Sequence, residues 1–292
     1  MSVTDICALC QKKAELRQSH IVPSFFGAYL KETSATGYLR GALTPNLRVQ
    51  DLSKEALLCD SCEGRLSVWE GKYKEEAFDK VQDDSFRELE YGPWLLLFLV
   101  SLSWRVLVTQ RADFLAERPQ FSDIIEKTLE NWRLFLVGDR SQPASEHHLF
   151  VFAGVPESMP DGLHEKILHY MLRSVDATVA SNSRSLFTYT KALRSLVISP
   201  IVPASPKGLV NTRVHAGRGR LISPQKIAMR GLGGFLDSRA KECFAQELSD
   251  KQKARIEEAI LRDPQRSLSS ESYKVHKATK RLVTKPGERG AW

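Results

Sequence analysis

Residues 59–82 read CDSCEGRLSVWEGKYKEEAFDKVQ, and this stretch decides how the N-terminal part of the chain folds. Leu66, Trp69, Tyr73, Ala77 and Val81 recur at helical spacing, so Cys59 and Cys62 sit on a tight turn that opens a helix. A second pair, CALC at 7–10, has the same C-x-x-C form. Between the pairs, AELRQSHIVP (14–23) suits a short strand ended by Pro23, and SFFGAYLKET (24–33) suits a short helix capped by Ser24. Two such knuckles, brought together by strands, can set Cys7, Cys10, Cys59 and Cys62 around one structural zinc at tetrahedral spacing. Four thiolates close the shell, so the zinc is scaffold and any chemistry falls to its neighbours. Cys243, alone in DSRAKECFAQEL (237–248), reads as a core thiol.

The chain has 292 residues, 42% of them hydrophobic, enough for a substantial core. PWLLLFLVSLSW (93–104), the most apolar run, ends at Arg105 and reads as a buried helix shorter than a membrane span. The start, MSVTDICALC, lacks the basic and apolar regions of a secretory signal, and the expectation is a soluble cytoplasmic protein without a membrane partner. The net charge is +7, and its distribution matters more than its total. Residues 184–230 hold nine Lys/Arg and no Asp or Glu. One-sided segments of this kind meet polyanions, so Arg184, Lys191, Arg194, Arg213, Arg218 and Arg220 are candidate phosphate contacts.

Three regions follow: a zinc module over 1–83, a mixed α/β domain with a basic surface over 84–277, and a basic, disordered tail over 278–292. Two long helices are expected near 93–115 and 121–138, and a buried strand over 147–155 in which one of His147 and His148 faces inward. Residues 162–180 read as one amphipathic helix, 185–203 as one or two strands, and 249–264 as a surface helix that stops before Pro264. Arg105, inside an apolar helix, needs an anionic partner, and Glu70 of the zinc module is the candidate.

C-x-x-C, a strand ending in SHIVP, and a second C-x-x-C at a helix start together resemble the zinc-braced HNH endonuclease module over residues 5–80. The resemblance implies a ββα-metal, treble-clef-like fold, hence an α+β chain whose N-terminal module joins a mixed helix and sheet domain. It implies that His20 is the general base acting on a phosphodiester. It also implies that Glu63, directly after Cys62, helps hold a catalytic magnesium or manganese ion. Three departures stand in the sequence. Ser19 occupies a position where the family has a metal-binding Asp, LSKEALLC lacks the family's middle Asn (Asn46 lies further upstream), and Glu63 replaces a His or Asn. The expected function is cleavage of nucleic acid, DNA before RNA, as in nucleases of the bacterial and phage-defence type. The alternatives are a zinc module that binds nucleic acid without cutting it and a protein-interaction adaptor that docks through the apolar helix 93–115. A protein partner or a second copy of the chain stays open.

Overall fold

The computed structural model describes residues 3–156 and 162–283. Strand β1 (Val3–Ile6) pairs antiparallel with β2 (Lys13–His20), and the first knuckle is the turn between them. Helix α1 (Ser24–Glu32) follows Pro23, which holds the helix-flanking position assigned above to Ser24; the extended backbone of Pro23 makes the corner, and Ser24 is the first helical residue. A two-residue hairpin, β3 (Leu39–Arg40) with β4 (Arg48–Val49), leads to β5 (Lys54–Cys59). β5 closes the sheet against β2, with Leu16 opposite Cys59 and His20 opposite Lys54. At Cys59 the strand turns directly into α2 (Asp60–Tyr73), whose first turn carries Asp60 and Glu63 at the positive end of the helix dipole. A wide turn, Lys74–Phe78, passes α2 into α3 (Asp79–Gln82).

After β6 (Glu88–Tyr91) comes α4 (Pro93–Glu117), then α5 (Ser122–Val137), which stops at Gly138 in the left-handed conformation (φ 94°) that glycine adopts without penalty. Over 95–107 α4 is apolar because α2, α5 and the sheet beneath cover it, whereas its last two turns, from Arg111, are largely exposed and carry charge. By length and composition it could cross a bilayer, being longer than the apolar run suggested, but 67% of its most apolar window is buried inside the protein. That burial leaves no free apolar face for the adaptor reading to use.

The central sheet has the order β7 (His148–Val151), β10 (Ser195–Val202), β9 (Leu186–Ala192), β8 (Val175–Ser181), antiparallel throughout. Residues 185–203 thus give two strands. Residues 162–180 are not one helix: α6 (Ile167–Arg173) ends at Ser174, and the next stretch, with β-branched Val175, Thr178 and Val179, pairs with β9 instead. The alternation of β9 and β10 sorts their side chains onto two faces. Leu186, Ala192, Val197 and Ile201 join the core under α4 and α5, whereas Phe187, Tyr189, Leu196 and Ile198 meet α6, α7 (Leu232–Cys243) and α10 (Glu271–Val283). Between these lie the short ribbons β11 (Leu209–Val210) with β13 (Lys226–Ile227) and β12 (Gly219–Ile222) with β6, then α8 (Asp250–Arg262) and α9 (Pro264–Ser269). α10 continues helically to Val283, so the region set down as a disordered tail from 278 begins as helix, and 284–292 lies outside the described residues.

The N-terminal module and the sheet share one core. Tyr73 at the end of α2 stacks on Phe98 of α4 (centroids 4.3 Å apart) and shares a 2.8 Å hydrogen bond with Ser195 of β10. Both His147 and His148 are buried, against the expectation that only one faces inward. Each side of this edge strand is covered: His147 Nδ1 lies 2.6 Å from Ser199 Oγ, and His148 Nδ1 lies 3.0 Å from Thr212 Oγ1.

Candidate metal centre and its neighbouring histidine

The ladder between β2 and β5 brings the two knuckles together, since Leu16 opposite Cys59 sets the start of α2 beside the β1–β2 turn. The sulfurs of Cys7, Cys10, Cys59 and Cys62 all lie within 4.8 Å of one another. Cys10 and Cys59 are 3.8 Å apart, which is the edge of a tetrahedron with zinc–sulfur bonds of about 2.3 Å. The Cys59 amide donates to Cys7 Sγ at 3.3 Å, a bond that favours thiolate. The Ser61 hydroxyl, 3.3 Å from Cys59 Sγ, draws that thiol down to about 6, whereas burial pushes the thiols of Cys62 and Cys10 up. Four crowded thiols of this kind cannot all ionise on their own, and a dication resolves the conflict. The four cysteines form a metal-binding module suited to zinc, at one end of the ladder.

His20 is at the other end, four strand positions or about 13 Å away. Its Nε2 lies 3.0 Å from Asp51 Oδ2, and its side chain is 22% exposed. Asp51 is tied in turn to Lys54 Nζ at 2.6 Å and accepts the Leu52 amide at 2.9 Å. The Lys54 ammonium, then the His20 ring, hold the Asp51 carboxyl well below the usual carboxylate range. Arg105 arrives from α4: its NH1 donates to the His20 carbonyl at 2.7 Å and its NH2 meets Glu70 Oε1 at 2.8 Å, which is the pairing expected from the sequence.

Several anticipated ligands fall elsewhere. Ser19 is wholly buried on the face opposite His20, because neighbours along a strand point to opposite sides. It therefore does not take the place of a metal-binding Asp. Asn46 bonds the Glu247 carbonyl and the Ser249 amide, tying its loop to the start of α8 and not to His20. Glu63 is half-buried in the first turn of α2, and no hydrogen bond or ion pair joins it to His20 among the described residues. Of the other carboxylates on α2, Asp60 pairs with Arg17 of the His20 strand, and Glu70, two turns beyond Glu63, reaches the His20 carbonyl only through Arg105. Asp51 is the residue sequence reading missed. Its signal was its place three residues before Lys54, the partner of His20 in the ladder, and that register is visible only once the strands are paired.

The acid-free segment does not form one basic face. Lys191 is buried, with its ammonium bonded to the carbonyls of Leu193 and Ser174, and burial drives its pKa well down. Arg194 is also buried and meets Asp84 at 2.5 Å. Neither is available to a phosphate: Lys191 is on β9, a middle strand of the sheet, and Arg194, in the β9–β10 turn, is held by Asp84 and by the Phe152 carbonyl. Arg213 and Arg220 are exposed but paired with Glu146 and Glu88, and Arg184 and Arg218 are exposed without an ion pair among the described residues. The chain matches no protein-family model, no curated protein and no solved structure.

Proposed function

We propose that the N-terminal module is a nuclease of the HNH type acting on a phosphodiester of DNA, with RNA as the alternative. The observation that supports this reading is the His20–Asp51 pair at a strand end of a four-thiol module. A carboxylate only accepts, so Asp51 holds the proton on Nε2 and leaves Nδ1 of His20 with a free lone pair. Nδ1 is then the atom that takes a proton from attacking water, and Asp51 stabilises the imidazolium that results. The backbone bond from Arg105 to His20 and the Lys54–Asp51 pair keep both groups in place. The magnesium or manganese that the resemblance implies has no ready cage here. Ser19 is buried, and Asp51 and Glu70 already engage cations, so of these candidate ligands Glu63 is left without an ion pair among the described residues. The proton transfer therefore rests on His20 and Asp51.

A second reading, a zinc module that binds nucleic acid without cutting, draws on the same triplet. Lys54, Asp51 and His20 bonded in series are also a latch that pins the loop before β5. The deciding experiment is cleavage of plasmid and single-stranded substrates in magnesium, manganese and nickel. Wild type is compared with His20→Ala and Glu63→Ala, with zinc quantified in each. Loss of cutting in His20→Ala with zinc retained supports the nuclease; a zinc-loaded wild type that binds and never cuts supports the latch.

A further inference from the structure

Lys31, Arg40, Arg48 and Arg266 lie in a run between the β3–β4 hairpin and α9, and none is in an ion pair among the described residues. Their side chains bond only neutral groups, although the Arg266 backbone amide donates to the Asp263 carboxylate at 3.0 Å. Lys31 Nζ donates to the Gln50 carbonyl at 3.0 Å, and Arg40 donates to the Pro45 carbonyl at 2.7 Å and to Gln252 Oε1 at 3.2 Å. Arg266 donates to the carbonyls of Ser34 and Lys31, both at 3.2 Å. The guanidiniums of Arg48 and Arg40 lie 3.8 and 5.1 Å from the centre of one ring, Tyr38. Two cations held on a single ring without a carboxylate repel each other, and a row of phosphates relieves that repulsion. Beside them the hairpin loop projects Leu43 and Leu47, 75% and 64% exposed. Such side chains, next to arginines, suit insertion into a groove. The strip also has a direction, since Gln50, which Lys31 bonds, immediately precedes Asp51 and the His20 pair.

We propose that the β3–β4 hairpin docks double-stranded nucleic acid, with these four cations following the phosphates and Leu43 and Leu47 entering a groove. Resting on the nuclease reading for its ligand class, this surface adds where the duplex lies. A single strand suits it less well, because the Tyr38 ring, the stacking platform an unpaired base would need, is already occupied by two guanidiniums. Of the exposed cations in 213–220, Arg213 and Arg220 already hold carboxylates, which leaves Arg218 without an ion pair among the described residues and makes it part of the comparison in the test.

The test is fluorescence anisotropy of the full, zinc-loaded chain with a labelled duplex of about two helical turns and with one of its strands. It is run in calcium across a salt series. The variants are Lys31→Gln with Arg48→Gln, Leu43→Ser with Leu47→Ser, and Arg184→Gln with Arg218→Gln as the comparison. Zinc content and melting temperature show that each is folded. The first pair is expected to weaken duplex binding about tenfold or more and to reduce the slope of log affinity against log salt by about two. The leucine pair is expected to weaken duplex binding with the slope unchanged and single-strand binding intact. Hairpin variants that bind as wild type does, a loss confined to Arg184 and Arg218, or a wild type that binds no duplex at the lowest salt would each overturn the proposal. Plasmid cleavage is scored in parallel. Cutting by wild type with unaffected hairpin variants removes the docking surface and keeps the nuclease; hairpin-dependent binding without cutting does the reverse.

Discussion

Asp51 carries more of the candidate chemistry than any residue near it except His20. Three groups converge on its carboxylate, the Lys54 ammonium, the His20 ring and the Leu52 amide, and all three favour the charged form. Asp51→Asn keeps the shape but replaces an acceptor with a group that can also donate, so the ring is free to turn or to carry its proton on Nδ1. On the nuclease reading, cleavage is expected to fall about 100-fold with zinc content unchanged, measured as single-turnover rates on plasmid. Full activity in this variant would take Asp51 out of the reaction and leave it a loop latch. Lys191 and Arg194 show the opposite lesson at the same scale. A basic residue in an acid-free segment looks like a phosphate contact, yet both are buried, Lys191 on a central strand of the sheet and Arg194 in the β9–β10 turn against Asp84 and the Phe152 carbonyl.

At the scale of elements, two junctions matter, one that holds the module to the rest of the chain and one that closes the module on itself. Arg105 is the first: buried in α4, it reaches the His20 strand through a carbonyl and α2 through Glu70. Arg105→Ala leaves Glu70 partly buried without its cation and removes a bond from the strand end. It is expected to cost about 3 kcal/mol in urea unfolding, near the low end for broken buried pairs because Glu70 keeps some exposure. A loss within the scatter of surface mutations would show that water replaces the pair. The knuckles are the second junction. β1, β2 and the start of α2 meet at four thiols, and thiols without an ion oppose their own ionisation. Chelation is therefore expected to lower the unfolding midpoint by roughly 10 °C or more, restored by added zinc and read by calorimetry beside a Cys59→Ser control that does not respond. An unchanged midpoint after verified zinc removal would make the cluster dispensable to the fold.

For the whole molecule, the buried histidines set an acid limit. Burial, aided by His148, lowers His147 to about 3, and burial also lowers His148 to about 4. With an ordinary value near 6.5, the unfolded chain takes up these protons before the folded one does. Stability is therefore complete above about pH 6.5 and is lost as the pH falls from there toward the folded values. For His147 the loss at pH 5 is about 2 kcal/mol. His147→Asn is expected to lose less stability than wild type between pH 7.5 and pH 5 by about that amount, measured as denaturant midpoints at matched zinc content. Parallel curves for the two proteins would mean that the folded state accepts the proton after all.

The sequence alone determined the local features. Two C-x-x-C spacings defined the metal set, helical periodicity after Cys62 defined α2, alternation and β-branching defined β9 and β10, and Arg105 in an apolar run pointed to Glu70. These are legible because knuckle geometry and hydrophobic period act within a few residues. The partner of His20, the burial of Ser19, both histidines at the start of β7, and which cations are left without an ion pair among the described residues were decided by tertiary structure. Each depends on strand register or on which face another element covers. Lys31, Arg48 and Arg266 are scattered through the chain and meet only in the fold, while the acids that neutralise Arg194, Arg213 and Arg220 come from segments far away in sequence. Charge acts through space, so its pairing can be read only after the chain has been brought together.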